Sequence, residues 1–163
     1  MIDVQVLSPD DWPIWRQLRR QALRDAPEAF GSTLADWSGP GDDEARWRAR
    51  LAGVAFNVII RWRGVAAGMV SADTADTGRI ELMSMWVAPF ARGRGVGDAA
   101  IRAVLHWANG REVGLSVKVD NQAAIRLYRR HGFADAGCSP GDTASGRMLR
   151  PAGMNCPIRG DAR

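Results

Sequence analysis

The sequence is poor in cysteine and has no long apolar run, and both absences narrow the classes of protein it can belong to. Its two cysteines, Cys138 and Cys156, are not spaced as metal ligands, so we expect neither a metal site nor a disulfide. No run of about 18 apolar residues occurs, and no membrane-spanning helix is predicted. The first residues, MIDVQVLSPDDW, lack the basic segment and apolar core of a signal peptide, so we expect a cytoplasmic protein.

Lysine is almost absent as well. The chain has 22 basic residues and a net charge of +4, and Lys118 is its only lysine. The arginines are spread from Arg16 to Arg163 without a block of five or more, and no nucleic-acid-binding motif is present. We therefore expect no nucleic-acid partner. A small ligand that is rich in phosphate could bind to a local basic site instead.

The pattern of apolar residues and turn residues predicts one domain over residues 1–150 and a tail, residues 151–163, that we expect to be disordered. The predicted element order is β-α-α-β-β-β-α-β-α-β-β. Such a mixture favours an α/β (α+β) fold with a mixed central sheet and helices on both faces. The predicted strands cover about 2–6, 54–61, 65–72, 79–87, 113–119, 133–136 and 146–149, and the predicted helices about 9–25, 43–52, 96–107 and 121–131.

A glycine-rich turn joins the third of the central strands to the following helix. Gly93, Gly95 and Gly97 keep side chains away from the main chain, so an anion can approach the free amide groups at the start of the helix. Arg92 and Arg94 add charged donors. The turn therefore predicts a cradle for a phosphate or pyrophosphate group.

Two common nucleotide motifs do not explain this turn. A P-loop needs Gly-Lys followed by Ser or Thr, which the chain lacks. A dinucleotide-binding turn needs a third glycine where this sequence has Asp98, and the chain does not have the two mononucleotide-binding halves of that fold.

The turn resembles the cofactor-binding signature of the GNAT superfamily of N-acetyltransferases, and a second motif farther along the chain does too. The first signature is [Q/R]-x-x-G-x-[G/A] after a strand ending in Val-x-Pro, and it is filled by Val87, Pro89, Arg92, Gly95 and Gly97. The second reads N-x-x-A-x-x-[L/F]-Y-x-x-x-G-F, and it is filled by Asn121, Ala124, Leu127, Tyr128, Gly132 and Phe133. The resemblance covers about residues 79–135 closely and the flanking regions only in element order.

The resemblance implies a sheet that splays between strands 79–87 and 113–119, with acetyl-coenzyme A as co-substrate in the gap and no metal. It implies that the pyrophosphate lies on the amides of residues 92–97, namely Arg92, Gly93, Arg94, Gly95, Val96 and Gly97. The pantetheine arm would pair with the backbone at Trp86 and Val87. The Val87 N–H would stabilise the oxyanion, and Asn121 would contact the cofactor as well as cap its helix.

The resemblance also implies two catalytic side chains. Glu81 lies eleven residues before Arg92, the offset of the catalytic base in the histone-acetyltransferase branch, and we expect a raised pKa there because the cleft is partly desolvated. The base could act through a water. The alternative is a strand-end glutamate that is exposed or paired with Arg79. Tyr128, the only tyrosine, is expected to protonate the departing thiolate; the alternative is a core tyrosine.

The acceptor is not identified by these motifs. Trp37 and Trp47 flank the loop 26–43, where the superfamily builds its acceptor site, and they are candidate substrate contacts, with core packing as the alternative. The resemblance predicts transfer to a primary amine of a small molecule or peptide by direct attack in a ternary complex. A non-catalytic acyl-coenzyme A-binding module is the alternative function. The segment after Phe133 is shorter and richer in Gly and Ser than in the family, which leaves acceptor choice and a homodimer open.

Overall fold

A computed structural model describes residues 1–153 of the chain, and its elements follow the predicted order. The strands are β1 (Ile2–Val6), β2 (Phe56–Trp62), β3 (Val65–Thr74), β4 (Ile80–Val87), β5 (Val113–Lys118), β6 (Ala134–Ser139) and β7 (Asp142–Arg150). The helices are α1 (Trp12–Asp25), α2 (Glu44–Ala52), α3 (Val96–Ala108) and α4 (Gln122–Arg130). None of the helices in residues 1–153 is both long and apolar enough to cross a bilayer.

Seven strands form one sheet in the order β1-β2-β3-β4-β5-β7-β6. Among the strands of residues 1–153, only β4 and β5 run parallel, because the chain returns to the sheet through α3 between them; the other neighbours are antiparallel. The predicted mixed sheet is confirmed.

The parallel pair separates almost at once. β4 and β5 are paired only at Ile80 with Val113 and at Glu81 with Gly114. Beyond Glu81 the two strands have no further ladder pairs, so residues 82–87 and 115–118 border a gap in the sheet. The predicted splay is therefore present, and it exposes the backbone edges of both strands to the same space.

A bulge in β4 accompanies the separation. The pairing of β3 with β4 shifts register between Met69 and Ser71, and opposite this shift Ser84 adopts a left-handed backbone with φ of 56°. An extra residue in one strand bends that strand and reverses the alternation of its side chains. As a result Trp86 packs towards α1 and α2, whereas Met85 and Val87 pack towards α3.

Each face of the sheet carries its own apolar core, so the predicted helices on both faces are confirmed. One core joins α1 and α2 to the sheet around Trp15, Trp47 and Trp86. The other packs α3 and α4 around Ile101 and Tyr128. Amphipathic helices bury one face in this way, and the two cores fix the walls of the gap from both sides.

The last two strands are longer than the sequence indicated. β7 begins at Asp142 rather than at about residue 146, and it pairs with β5 along six residues, 113–118. The Gly- and Ser-rich segment after Phe133 is thus a β-hairpin with Gly141 at φ of 75° in its turn. Residues 151–153 form a turn held by the Gly153 N–H on the Gly110 carbonyl at 2.8 Å; the rest of the predicted tail lies outside the described residues, as does Cys156.

Candidate active site

A cavity of about 730 Å³ occupies the gap between β4 and β5. This volume is within the range of small-molecule and cofactor sites. The predicted site residues that line the cavity are Trp86, Val87, Arg92, Gly93, Gly95, Gly97, Asn121 and Tyr128. The predicted residues that do not line it are Trp37, Trp47, Glu81, Arg94 and Val96.

The start of α3 has the properties of an anion cradle. Gly95 is the N-cap residue of the helix, with φ of 84°, and no side chain caps the first turn. By contrast, the N-caps of α2 and α4 each accept a backbone N–H with a side-chain oxygen. The first amides of α3 are therefore left for an external acceptor, at the positive end of a 13-residue helix dipole. These residues fit a phosphate or pyrophosphate group.

Arg92 is held at the edge of this cradle by contacts within the chain. Its Nη2 donates to Oδ2 of Asp25, and its Nε donates to the carbonyl oxygen of Val87 at 3.1 Å. The same Asp25 oxygen accepts from Nε1 of Trp86 at 2.9 Å. Arg94 instead turns away from the cavity, and its guanidinium lies 5.7 Å from the ring centroid of Trp62.

The backbone of β4 offers a donor to the gap at Val87. The N–H of Ala88 bonds to the Ala67 carbonyl of β3 at 2.8 Å. Because successive amides of a strand point to opposite sides, the Val87 N–H is directed away from β3, towards β5. The hydrogen bond from Arg92 to the Val87 carbonyl is on this same side.

Tyr128 enters the cavity from α4. It is buried, it packs against Phe133 with ring centroids 5.8 Å apart, and burial raises the pKa of its hydroxyl above the ordinary value. The hydroxyl makes no hydrogen bond to the part of the chain that the structure describes. Asn121 Oδ1 caps α4 by accepting the Ala124 N–H at 3.3 Å, which confirms its predicted capping role.

Glu81 differs from the expectation of a raised pKa. Burial does act in that direction, but hydrogen bonds and charge from Arg147 and Arg79 outweigh it and leave the pKa of the carboxyl below the ordinary value. Arg147 contacts both carboxylate oxygens, at 2.7 and 2.9 Å, and Arg79 contacts one at 3.1 Å. Gly114 leaves room for this cluster, since a Cβ there would lie 2.6 Å from Arg147 Nη2. The pairing with Arg79 that the sequence left as an alternative is observed.

The two candidate acceptor tryptophans pack on each other beside the α1–α2 core. Trp47 is fully buried, and its Nε1 donates to Oδ1 of Asp42 at 2.8 Å. The ring of Trp37 stacks on it with centroids 4.3 Å apart. Core packing, the alternative given for this pair, therefore describes Trp47, and the structure does not bring either ring to the cavity.

Sequence reasoning missed several charged residues of the cavity wall. Arg126 and Arg130 lie one helical turn apart on α4 and both line the cavity; their spacing was a usable signal. Arg130 pairs with Asp98 at 3.1 Å, and the same carboxylate oxygen lies 2.8 Å from Nε2 of His131. Burial is the largest single influence and raises the pKa of Asp98. The hydrogen bonds and charges of His131 and Arg130 lower it by more in sum, so the pKa lies below its ordinary value.

The chain is similar in sequence to known acetyltransferases. Residues 13–133 match the family model described as Acetyltransferase (GNAT) family. N-alpha-acetyltransferase RimI of Mycobacterium tuberculosis is 42% identical over 57 residues, which are 35% of this chain and 36% of that protein. Mycothiol acetyltransferase of Nocardia farcinica is 26% identical over 160 residues, with 76% of this chain and 53% of the relative covered. The matched segments thus span about half or less of these relatives.

A solved structure agrees in fold. The PaiA N-acetyltransferase of Thermoplasma acidophilum, solved in complex with coenzyme A, superposes with a TM-score of 0.69 at 14% identity and covers 93% of this chain and 99% of that one. No group of three or more His, Cys, Asp or Glu side chains within residues 1–153 is arranged to hold a metal ion.

Proposed function

Because the chain belongs to the acetyltransferase (GNAT) family, we propose that it is an enzyme that moves an acetyl group from acetyl-coenzyme A to a primary amine of a small molecule or peptide. The observation that carries the proposal is the uncapped, glycine-started helix α3, which opens into the gap between two parallel strands. An anion site at a helix start beside a free strand edge suits a ligand that has both a pyrophosphate and an extended amide-containing arm.

The donor would be held by three sets of groups in this chain. The amides of Gly95, Val96 and Gly97 and the side chain of Arg92 would bind the pyrophosphate. Arg126, on the facing helix α4, adds positive charge to the same cavity. The backbone edge of β4 up to Val87 would pair with the pantetheine arm. The bound thioester supplies the acetyl carbonyl, and everything else in the reaction depends on how the chain orients it and the amine.

The Val87 N–H is the proposed oxyanion donor. It is directed into the gap by the strand's hydrogen bonding, and a fixed backbone donor in a partly dry cavity stabilises developing charge without reorganising. Tyr128 is the proposed acid: its raised pKa keeps the hydroxyl protonated, and that hydroxyl has no competing partner among the described residues. It would donate its proton to the sulfur as the C–S bond breaks.

Glu81 stays a proposed base, acting through a water. A carboxylate whose pKa lies below the ordinary value is ionised at neutral pH but is weakly basic, so its contribution to rate should be small. The amine would then attack largely as the neutral species that is already deprotonated when it binds from solution. A cytoplasmic location and a homodimer stay predictions of the sequence.

The first test is titration calorimetry of the natural chain with acetyl-coenzyme A. We expect binding that Arg92→Ala weakens at least tenfold, about 1.4 kcal/mol, because the variant loses a donor and leaves the Asp25 carboxylate without its arginine. Arg102→Ala, on the exposed side of the same helix α3, is the matched control for charge and should bind as the natural chain does.

Transfer to a panel of amines then separates an enzyme from an acyl-coenzyme A-binding module. Binding with turnover on at least one amine supports the proposal. Binding without turnover on any amine would favour the module. An absence of binding would contradict both.

A further inference from the structure

Two arginines, one buried and one partly buried, lie behind the wall of the cavity formed by Phe30 and Ser84. Arg19 of α1 is 8% exposed, and its guanidinium lies 4.5 Å from the ring centroid of Phe30. Arg50 of α2 lies 5.1 Å from the ring centroid of Trp15, and its Nη2 donates to Oγ of Ser84 at 3.2 Å. Phe30 and Ser84 both line the cavity. We call Arg19, Arg50 and these two wall residues the arginine recess.

The recess contains positive charge without matching negative charge. Arg50 donates only to neutral oxygens, those of Asn57 at 3.1 Å, Ser71 at 3.3 Å and Ser84. Arg19 donates to Oγ of Ser32 at 3.0 Å, and its buried Nη1 has no partner. Within residues 1–153 no carboxylate lies within ion-pair distance of either guanidinium.

The two arginines also disfavour each other's charge. Burial, and then the positive charge of Arg50, lower the pKa of Arg19 to about 10. Burial lowers the pKa of Arg50, and the negative charge of Asp73, which forms no ion pair with it, opposes this. A buried charge without a counter-ion is strongly unfavourable, and two like charges side by side are more so. The hydrogen bonds and the contacts with the Phe30 and Trp15 rings help to hold the two side chains, but none of them supplies a negative charge, so the arrangement points to a function.

Two other arginines at the cavity differ from Arg19 and Arg50 because each has a carboxylate partner. Arg92 pairs with Asp25 and Arg130 with Asp98, so each already has an anion. Arg130 belongs to α4, and Arg92 lies just before α3, where the donor's phosphates would bind, with its partner Asp25 at the end of α1. The arginine recess lies on the opposite face, with α1 and α2. A second anion, separate from the donor, would therefore meet the unpaired charge.

The recess is also close to the proposed point of transfer. Ser84 is the bulge residue of β4, three residues before Val87. An anionic group that reached Arg50 beside Ser84 would hold a neighbouring amine a few bonds away, near the Val87 N–H. We propose that the arginine recess binds an anionic oxygen group, carboxylate or phosphate, of the amine that is acetylated, so that the acceptor is an amine with an anion a few bonds from its nitrogen. This proposal rests on the proposed acetyltransferase function.

The test compares matched acceptors. An α-amino acid, its carboxamide and the corresponding aminoalkyl phosphonate are given to the natural chain at saturating acetyl-coenzyme A, and kcat/KM is measured for each. We expect the acid or the phosphonate to exceed the carboxamide at least tenfold, and whichever of the two is preferred identifies the anion. Arg19→Gln and Arg50→Gln should each remove most of this preference, mainly through KM. Arg48→Gln, at a partly exposed arginine of the same helix as Arg50 that pairs with Asp10, is the control and should keep the preference.

Stability provides a readout that does not depend on turnover. Arg19→Met replaces an unpaired buried charge with an apolar side chain of similar length, so its melting temperature should be no lower than that of the natural chain. The free amino acid should raise the melting temperature of the natural chain but not of Arg19→Met. An equal kcat/KM for acid, phosphonate and carboxamide would overturn the proposal, as would a preference that survives in folded Arg19→Gln and Arg50→Gln. Failure of the proposed function would look different, since acetyl-coenzyme A would then not bind or no amine would be acetylated.

Discussion

The Tyr128 hydroxyl can be removed with little effect on folding, which makes its chemistry easy to isolate. It makes no hydrogen bond to the described part of the chain, so Tyr128→Phe should leave the melting temperature almost unchanged and acetyl-coenzyme A binding intact. If the hydroxyl protonates the thiolate, kcat should fall about 10- to 100-fold, at or below the lower limit for general acids, because a thiol of ordinary pKa about 8.5 is a tolerable leaving group. Steady-state kinetics at neutral pH measures this. An unchanged kcat would remove Tyr128 from the mechanism.

Glu81 should affect acid stability more than catalysis. Its folded pKa is lowered, so its stabilising contribution is present above the ordinary glutamate pKa of about 4.3 and is lost as the pH falls through the lower folded value. Melting curves of the natural chain and Glu81→Gln should therefore differ most near neutral pH and converge as the pH falls below about 4. Glu28→Gln, an exposed glutamate, controls for the loss of one charge. Curves that stay parallel down to pH 3 would contradict the ion-pair interpretation.

For individual residues, the sequence predicted the roles that depend on residues close by in the chain. The glycine-rich turn and the cap at Asn121 are set by a few consecutive residues, and both are found. The second partner of Glu81 was missed because Arg147 lies 66 positions away and reaches it only across the sheet. Arg19 and Arg50 escaped notice for the same reason: burial of an arginine is a property of the packed molecule.

The start of α3 offers a matched pair of glycines for a test of the cradle. Gly95 precedes the helix with φ of 84°, and Gly110 follows it with φ of 80° and open space around its Cα. Alanine in the left-handed region costs about 1–2 kcal/mol, so Gly95→Ala and Gly110→Ala should lower stability by similar amounts. Only Gly95→Ala should also weaken acetyl-coenzyme A binding, at least tenfold, because it disturbs the amides that point into the cavity. Calorimetry on both variants checks this, and equal affinities would place the anion elsewhere.

Element order was predictable because each helix and strand has its own periodicity and its own stop signals. The ends of β4 illustrate this, with the glycine of the preceding turn and Pro89 after it. The bulge at Ser84 was not predictable in the same way, since a serine in a strand carries no local signal for a left-handed backbone. The length of β7 was underestimated because its Gly and Ser residues indicate a loop, whereas pairing with β5 on one side and β6 on the other stabilises a strand.

Across the whole molecule, the sheet is joined at its centre by only two residue pairs between β4 and β5. A ligand that pairs with the edge of β4 and covers the edge of β5 would bridge the gap between the two strands. Acetyl-coenzyme A at 100 times its Kd should stabilise the fold by about 2.7 kcal/mol. Hydrogen exchange should slow most in residues 82–87 and 115–118 and least in β1, which is distant from the gap. Protection spread evenly over the sheet would argue against binding between the strands.

In the contact between Asp25 and Arg92, the carboxylate binds the guanidinium where a phosphate of the donor would bind it. Under the proposed function, a pyrophosphate that bound to Arg92 would exchange one anion for another, and the displaced carboxylate would keep its bond from Trp86. Dissolved salt would screen the attraction between Arg92 and Asp25 about as much as the attraction between Arg92 and the pyrophosphate. The affinity for the donor should thus vary less with ionic strength than the number of arginines around the cavity suggests, and Asp25→Asn would make the site more sensitive to salt.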